Sequence, residues 1–456
     1  MTYLEAVKLV RDIEERYDVM SIRYKGVSVW PFLRLFLLDR ISVQTEIKAS
    51  GSIVKVVLKS LFAYNPLKVF KRHDVWLFTG CERRKRIGDK MIHRISGGIS
   101  SNVPSCLMIE KPDLLLGHYR KQVIEEKEIV SESWMLILFH FFERCLRLIK
   151  PKIEKEEVMV RLLEENNVSF DYQHYVRMLN AKRMAMRIAL GLLRKPKLVL
   201  MECPYDSMGY MWACHQLGVK FLELQHGVAG AKHNAYNALF YEPQMQPDGI
   251  CVFGNEEYRY FTEEEPQYTK NVYLTGLYML EKADKFFTKD LFINDREKYE
   301  RIVIASGQKG YEKELSDLID TVAGKHPELL FIYIPRMADE ELHFESGNVQ
   351  IVRDANIYEY LKWADVHITI SSTTCLEAQY FETPTIFFDF ENRASSYYGA
   401  LLLKENGAVY INNPDEFDDA YKEMTEGVFT YKEVFVHNHV ERIVNVIKEQ
   451  LGKNLK

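Results

Sequence analysis

The chain has 456 residues, of which 47% are hydrophobic and 27% are charged, enough for two globular domains of about 200 residues each with full cores. Its formal net charge of −5 excludes a general nucleic-acid binder, because such proteins present a net basic face. No apolar run approaches the roughly 18 residues of a membrane-spanning helix, and the charged N-terminal segment is unlike a signal peptide. The seven cysteines include no C-x-x-C pair, so we expect buried free thiols and a cytoplasmic protein.

Residues 1–72 are predicted to form a helical N-terminal extension. Apolar residues recur at helical spacing at Leu4, Val7, Val10 and Ile13. The stretch 52–72 then mixes apolar residues with five cations. This pattern is typical of a helix on an anionic membrane surface and equally of a packed helix with solvated lysines, so a peripheral membrane contact is one of two expectations.

Residues 73–285 are predicted to form a first Rossmann-like domain. Short apolar runs predict strands over residues 74–78, 105–109, 198–203, 220–224, 249–253 and 271–275. Helical patterns lie between several of them, including 134–142, which fits either a core helix or one that enters a membrane interface. Strands and helices that alternate at this spacing indicate a parallel, doubly wound sheet.

A basic run follows the first of these strands and comprises Arg83, Arg84, Lys85 and Arg86. Ligands bind at the carboxyl ends of strands in open α/β sheets. We therefore predict that these cations bind an anionic acceptor such as a lipid-linked phosphate or an acidic glycan. The alternative is a solvated run of charges.

Three candidate catalytic residues follow later strands of the same domain. Glu202 and Asp206 flank the end of one strand, and His226 follows the next in the triplet Gln-His-Gly. A carboxylate or a neutral imidazole at such a position can take the proton of an acceptor hydroxyl, and an imidazolium can pair with a phosphate. A structural role is the alternative for each, and the sequence leaves open which of the three is the base.

Residues 298–430 are predicted to form a second α/β domain after a charged hinge segment, 277–298. Its predicted strands are 301–305, 329–334, 349–352, 366–370 and 385–388. The chain closes with residues 431–456, which contain an amphipathic helix at about 434–452.

The stretch 363–390 of this domain contains the most informative pattern in the chain. It is a predicted strand, a loop of four hydroxyl residues, a helix that opens at Cys375 and a second strand; the hydroxyl residues are Ser371, Ser372, Thr373 and Thr374. Hydroxyls and unpaired backbone N–H groups at a helix N-terminus bind anions, and Glu377 in the first helical turn can accept hydrogen bonds from a sugar diol. Phosphate and ribose together indicate a nucleotide, whereas simple helix capping is the alternative.

The order and spacing of Asp365, Thr369, the four hydroxyl residues, Glu377, Ala378 and Pro384 resemble the nucleotide-binding domain of GT-B glycosyltransferases. They are also similar to UDP-N-acetylglucosamine 2-epimerases and polyol-phosphate transferases, and the Gln-His-Gly triplet resembles a signature of capsule-polymer transferases. The resemblance covers roughly residues 200–410. It implies two Rossmann-like domains that face a cleft, with the terminal helix packed back on the first domain.

The same resemblance assigns roles on the donor side. The hydroxyl loop would hold the donor phosphates and Glu377 the ribose, and the remaining nucleotide-sugar-binding candidates are Gly307, Lys309, Arg336 and Asn356. No D-x-D triplet occurs in the chain, so we expect no metal ion and no cofactor, with a helix dipole and cations in their place.

The expected function is transfer of a sugar from a nucleotide-sugar donor to a bacterial surface polysaccharide or its lipid-linked precursor. Three alternatives remain open: a polyol-phosphate transferase with a CDP-linked donor, a sugar-nucleotide 2-epimerase, and a non-catalytic glycan-binding scaffold of the same fold. The donor base, the sugar, the acceptor and the stereochemical course are not determined by the sequence.

Overall fold

A computed structural model describes residues 3–42, 53–113, 117–227, 229–230, 233–287, 299–336, 341–353 and 356–452. The chain divides into two compact units. The first comprises Met1–Lys85, Asp89–Tyr278 and Asn438–Lys456, and the second comprises Arg86–Gly88 and Met279–His437. Part of the expected hinge, 288–298, lies outside the described residues.

The first unit contains twelve strands among the described residues. They are β1 (Arg23–Tyr24), β2 (Val27–Ser28), β3 (Val75–Gly80), β4 (Arg84–Ile87, which ends in the second unit), β5 (Lys90–His93), β6 (Cys106–Lys111), β7 (Ile129–Ser131), β8 (Ile153–Glu154), β9 (Leu198–Glu202), β10 (Lys220–Leu224), β11 (Gly249–Val252) and β12 (Val272–Leu274).

Helices connect these strands. They are α1 (Tyr3–Arg16), α2 (Trp30–Ile41), α3 (Ile53–Ser60), α4 (Ile99–Asn102), α5 (Ser133–Leu146), α6 (Glu156–Glu165), α7 (Tyr172–Leu192), α8 (Met208–Gln216), α9 (Asn255–Arg259) and α10 (Tyr278–Phe286), the last of which continues into the second unit.

Seven strands of the first unit form one parallel sheet in the order β12-β11-β10-β9-β3-β6-β7. Strands β9 and β3 are buried along their whole length, which is why they appear in the sequence as continuous apolar runs. After β3, the chain adds β6 and β7 on one side of it. It then crosses to the other side of β3 and adds β9, β10, β11 and β12 in turn. The boundary between β3 and β9 is therefore a topological switch point.

The N-terminal helices share a core with the rest of the first unit. Val10, Trp30 and Phe32 pack in one cluster with Leu179 of α7 and Trp212 of α8. Three short strands, β2, β1 and β8, form a small antiparallel sheet beside it. Residues 3–42 are thus an integral part of this unit.

The second unit contains six strands among its described residues: β13 (Arg301–Ser306), β14 (Leu329–Ile334), β15 (Val349–Ile351), β16 (Val366–Thr369), β17 (Thr385–Phe388) and β18 (Ala408–Ile411). Its further helices are α11 (Glu312–Lys325), α12 (Ile357–Leu361), α13 (Thr374–Tyr380), α14 (Arg393–Tyr398) and α15 (Phe417–Glu426). The terminal helix α16 (His439–Gln450) belongs to the first unit.

All six strands of the second unit are parallel, in the order β15-β14-β13-β16-β17-β18. The chain builds outward from β13 to β15 and then from β16 to β18, so the switch point lies between β13 and β16. The expectation of two doubly wound, Rossmann-like sheets is confirmed.

Among the described residues, no helix has both the length and the apolar character that crossing a bilayer requires. All seven cysteines are free thiols, but Cys145 is exposed and Cys203 partly so, and the expectation of burial is therefore wrong for these two.

Candidate functional sites at the two switch points

The switch point of the second unit brings the first loop of its sheet against the hydroxyl loop. The Gln308 side chain accepts a hydrogen bond from the Ser371 N–H at 2.8 Å and donates one to Ser371 Oγ at 2.9 Å. Ser306 Oγ, at the end of β13, lies 2.8 Å from Thr374 Oγ1 and 2.7 Å from His367 Nε2. Side chains on adjacent strands thus join the two loops into one polar edge.

The four hydroxyl residues divide into two kinds. Helix α13 opens at Thr374, one residue earlier than expected, and the Thr374 hydroxyl points inward to Ser306. Ser371 and Ser372 are half-buried, and Thr373 is exposed. Three of the four residues therefore border the edge rather than pack inside it, and one supports the loop from within.

Glu377 lies on α13 beneath the hydroxyl loop. It is 5% exposed, and its Oε1 accepts a hydrogen bond from the Tyr358 hydroxyl at 3.1 Å. Tyr358 stands on α12 and was not singled out by the sequence, because its contact with Glu377 spans nineteen positions. The hydrogen bond from Tyr358 shows that the Glu377 carboxylate can accept hydrogen bonds from hydroxyl groups.

Gly307 follows β13 at a position where a larger residue would displace the Glu312 side chain. A Cβ at this position would lie 2.3 Å from Glu312 Oε2. Glu312 uses that side chain to accept the Arg336 N–H at 2.7 Å and the Tyr333 hydroxyl at 2.6 Å. The glycine therefore allows Glu312 of α11 to approach the end of β13 while it is bonded to the end of β14.

The cations expected around the donor phosphates are both accessible. Lys309 and Arg336 are exposed beside the ends of β13 and β14. Asn356 has a capping role: its side-chain oxygen accepts the Tyr358 N–H at 3.1 Å, and its amide donates to the Arg86 carbonyl at 2.8 Å.

The switch point of the first unit opens into a cavity of about 410 Å³. It collects charged side chains from strand ends and from one helix: Glu82, Arg83, Lys111, Glu132, Lys182, Glu202 and Asp206. Three of the predicted residues, Arg83, Glu202 and Asp206, are therefore brought together. Lys111, Glu132 and Lys182 were missed, because their positions depend on the β3–β6–β7 pairing and on the docking of α7.

Glu202 is the most unusual group in this cavity. Its side chain is 1% exposed, and its carboxyl oxygens make no short hydrogen bond among the described residues, although a weak hydrogen bond with Ser96 lowers its pKa slightly. The nearest nitrogens are Nδ1 of His93 at 3.3 Å and Nε of Arg83 at 3.4 Å. Burial raises the pKa of Glu202 to about 8, although Arg83 opposes the shift, so the carboxyl is mostly protonated at neutral pH.

The neighbouring carboxyls respond differently. Burial raises the pKa of Glu132 to about 7, and its Oε1 accepts a hydrogen bond from the Tyr210 hydroxyl at 3.3 Å. The Asp206 side chain is 53% exposed; its partial desolvation opposes ionisation, but Lys182, at 3.1 Å, and Lys111 outweigh it and lower the pKa of Asp206 to about 2. One cavity thus holds two groups that titrate near neutrality and one permanent carboxylate.

His226 lies beside a buried tyrosine network. Its Nδ1 is 3.4 Å from the Tyr205 hydroxyl, which also donates to Glu223 Oε1 at 3.0 Å. Tyr236 and Tyr268 donate to the same Glu223 carboxyl. Burial, with Arg83 and His233 nearby, lowers the pKa of His226 to about 3, so its imidazole is neutral.

The basic run is not the single cluster that the sequence predicted. Arg84 is 3% exposed and bonds to Glu110 and to Glu126, the latter at 2.8 Å. Lys85 and Arg86 are exposed. The prediction that all four cations face a ligand is therefore wrong for Arg84, which neutralises buried carboxylates instead.

One group of side chains has metal-ligand spacing among the described residues. Potential ligand atoms of Cys81, Glu110 and His118 lie within 4.8 Å of one another. However, Arg84 occupies one Glu110 oxygen, His118 Nδ1 lies 2.9 Å from the other, and burial raises the pKa of Cys81 to about 12. The group fits a hydrogen-bond network better than a metal site.

No family model matches the chain, and no curated protein sequence matches it. Solved structures do resemble it. A UDP complex of Staphylococcus aureus MnaA has 12% identity and a TM-score of 0.49, covering 84% of this chain and 98% of its own. UDP-GlcNAc 2-epimerase from Methanocaldococcus jannaschii has 11% identity and a TM-score of 0.48, covering 82% of this chain and 99% of its own. The calicheamicin glycosyltransferase CalG4 has 11% identity and a TM-score of 0.48, covering 84% of this chain and 99% of its own.

These structures include epimerases and a glycosyltransferase, two of the three enzyme classes that the sequence resembles. Because their TM-scores lie below 0.5 and their identities below 25%, we base the functional proposal on the residues of this chain.

Proposed function

We propose that the chain is a nucleotide-sugar-dependent glycosyltransferase that acts on a bacterial surface polysaccharide or its lipid-linked precursor. One observation carries the proposal: predicted site residues lie at the topological switch points of both parallel sheets. Switch points are where open α/β sheets bind ligands. A transferase needs separate donor and acceptor sites, and two switch points supply them.

We assign the donor to the second unit. The half-buried loop Ser371–Ser372 and the exposed cations Lys309 and Arg336 would bind the two phosphates, since cations and hydroxyl donors can replace a metal ion there. Glu377 would accept the ribose hydroxyls as it accepts the Tyr358 hydroxyl. Asn356 would lie near the base, and no cofactor is proposed.

We assign the acceptor to the first unit, with Glu202 as the group that exchanges its proton. An effective general base has a pKa near the working pH, and that of Glu202 is about 8. Asp206, with a pKa of about 2, is too weak a base and is bound to Lys182. His226 stays neutral and is better placed to accept a hydrogen bond from a substrate hydroxyl.

The remaining acceptor contacts would come from the rim. Arg83, which lines the cavity, and the exposed Lys85 are the members of the basic run in the first unit left to bind an anionic acceptor. A peripheral membrane contact of this unit is part of the proposal, because lipid-linked acceptors lie in a bilayer surface.

A second candidate, a sugar-nucleotide 2-epimerase, is favoured by one feature. Glu132 and Glu202 line the same cavity and titrate at about 7 and 8. Paired groups of this kind can serve as acid and base toward a single sugar. An epimerase requires no acceptor.

The experiment that separates these functions uses a panel of nucleotide sugars with and without an extract of lipid-linked glycans, followed by mass spectrometry and chromatography. A transferase releases nucleotide only when acceptor is present, and the mass of the acceptor increases by that of one sugar. An epimerase converts the donor to an isomer of equal mass without acceptor. A polyol-phosphate transferase would consume only CDP-linked donors, and no turnover of any donor would contradict an enzymatic role.

A further inference from the structure

The cavity of the first unit is amphiphilic. Its charged side chains stand on the carboxyl ends of β3, β6 and β9 and on α7. Its apolar side chains come mainly from helices and include Val57 of α3, Leu136 and Phe139 of α5, and Met178 of α7. A purely polar glycan would leave the apolar side chains without a contact. A molecule with one anionic end and one hydrocarbon end can contact both the charged and the apolar side chains of the cavity.

The helices that supply the apolar wall also carry exposed apolar side chains. Leu58, next to Val57, is 55% exposed, and Phe141, two residues after Phe139, is 58% exposed. Phe62, just beyond α3, is 74% exposed. Helices α3 and α5 pack against each other, so apolar surface continues from the cavity wall to the outside of the unit.

Cations follow both apolar helices in the sequence, although Lys68, Arg147 and Lys150 are paired with carboxylates. Residues 53–72 contain five lysines and arginines and no aspartate or glutamate, and Lys55, Lys59, Lys71 and Arg72 are exposed. Residues 144–152, at and after the end of α5, add four more cations and no acid. Exposed apolar side chains among cations are complementary to anionic lipid headgroups.

Inside the cavity, Glu202 marks where the anionic end would lie. The side chain is 1% exposed and lines an open space, yet its oxygens make no short hydrogen bond among the described residues: Ser96 bonds to it only weakly, and His93 Nδ1 and Arg83 Nε lie 3.3 and 3.4 Å away. Buried polar groups in proteins are nearly always bonded. A phosphate held by the cations Arg83 and Lys111 would lie beside this carboxyl and give it a short hydrogen bond.

We propose that this cavity holds the phosphate end of a long-chain lipid phosphate, with the hydrocarbon chain passing over α3 and α5 into an anionic bilayer. The inference rests on the proposed glycosyltransferase function and names its acceptor class: a lipid-linked acceptor rather than a free glycan. Arg83, Lys111 and Glu202 bind the phosphate, and Leu58 and Phe141 lie at the bilayer surface.

The test is co-sedimentation of the full chain with three kinds of vesicle. They contain phosphatidylcholine alone, phosphatidylcholine with phosphatidylglycerol, or phosphatidylcholine with a polyprenyl phosphate at the same surface charge. We expect the tightest binding to the third. Lys111→Gln should weaken that binding about fivefold, the usual effect of one cation at an anionic surface, whereas Arg187→Gln, an exposed cation of α7 outside the cavity lining, should not.

A second variant tests the bilayer contact. Leu58→Ser with Phe141→Ser should weaken binding to both anionic vesicles, because apolar side chains inserted at the interface contribute to membrane affinity. Val428→Ser is the matched control, since Val428 is 99% exposed and belongs to the second unit. These side chains are exposed, so the folded state should be retained, which a thermal melt checks.

Two results would overturn the proposal. Equal binding to the two anionic vesicles, unaffected by Lys111→Gln, would mean that only surface charge is recognised. Full displacement of the polyprenyl phosphate by an equal concentration of glycerol phosphate would mean that the hydrocarbon chain is not recognised.

A nucleotide-binding assay on the same preparation separates this inference from the proposed function. If nucleotides bind and the polyprenyl phosphate does not, the acceptor assignment fails and the donor site stands. If the polyprenyl phosphate binds and nucleotides do not, the cavity assignment stands and the transferase proposal fails.

Discussion

Replacing Glu202 by Gln should change how the stability of the protein depends on pH. The folded-state pKa of about 8 lies above the ordinary value of 4.5, so the folded chain keeps a proton that the unfolded chain releases in this interval. Below pH 4.5 both states are protonated and nothing is lost. As pH rises through the interval, the unfolded state is increasingly favoured, and the loss levels off above pH 8.

The size of the effect follows from the interval. Between pH 5 and pH 8 the wild type should lose about 3 kcal/mol of unfolding free energy through this group, because the full slope of about 1.36 kcal/mol per pH unit is reached only well between the two pKa values. Gln has the same shape and no proton to lose. The stability of Glu202→Gln relative to the wild type should therefore rise by about 3 kcal/mol over the same range.

Urea denaturation at pH 5, 6, 7 and 8, followed by tryptophan fluorescence and circular dichroism, measures this difference. Trp76 and Trp212 are buried in the first unit and report on it. Glu164→Gln, an exposed residue of the same unit, serves as the control and should parallel the wild type. The reasoning is refuted if Glu202→Gln also parallels the wild type, or if it becomes less stable than the wild type toward pH 8.

Three further predictions concern the two candidate sites. Gly307→Ala should destabilise the second unit by about 1–3 kcal/mol in urea denaturation, because the new Cβ displaces the Glu312 carboxylate from its hydrogen bonds. Gly191→Ala is the control and should be neutral or slightly stabilising, because a Cβ there has nothing within 4 Å. An equal change of stability in both variants would reject the steric argument. Glu377→Ala should weaken nucleotide binding in calorimetry by about 1–3 kcal/mol, and unchanged affinity would remove Glu377 from the ribose. His226→Ala should lower turnover with nucleotide affinity retained; an equal loss of nucleotide affinity would instead place His226 on the donor phosphates.

Much of the sheet architecture could be predicted from the sequence, because buried parallel strands appear as uninterrupted apolar runs. The predicted strands 220–224, 329–334 and 385–388 have the observed bounds. Of the strands in the two parallel sheets, β7 and β18 were missed, and both lie at a sheet edge. Strand β18 is also partly exposed at the sheet edge, which weakens the apolar signal.

The chemistry of the sites was less predictable, because it depends on contacts between residues that are distant in the chain. The hydroxyl loop could be recognised in the sequence. The contact between Thr374 and Ser306, which lies 68 positions earlier, could not be predicted from it. Arg84 resembled its exposed neighbours until Glu110 and Glu126 were brought to it by folding. Burial, which raises the pKa of Glu202, is likewise a property of the assembled sheet and its helices.

The central claim, that the second unit binds a nucleotide, is tested most directly by thermal denaturation of the purified protein with CMP, CDP, UDP, GDP and ADP, each with and without EDTA. A nucleotide at 100 times its Kd should stabilise the folded state by about 2.7 kcal/mol, which raises Tm by a few degrees. The proposal predicts that one nucleotide raises Tm, that EDTA makes no difference, and that Glu377→Ala removes the response. If no nucleotide raises Tm in the wild type, the donor site at the β13–β16 switch point is wrong and a non-catalytic scaffold becomes the better account.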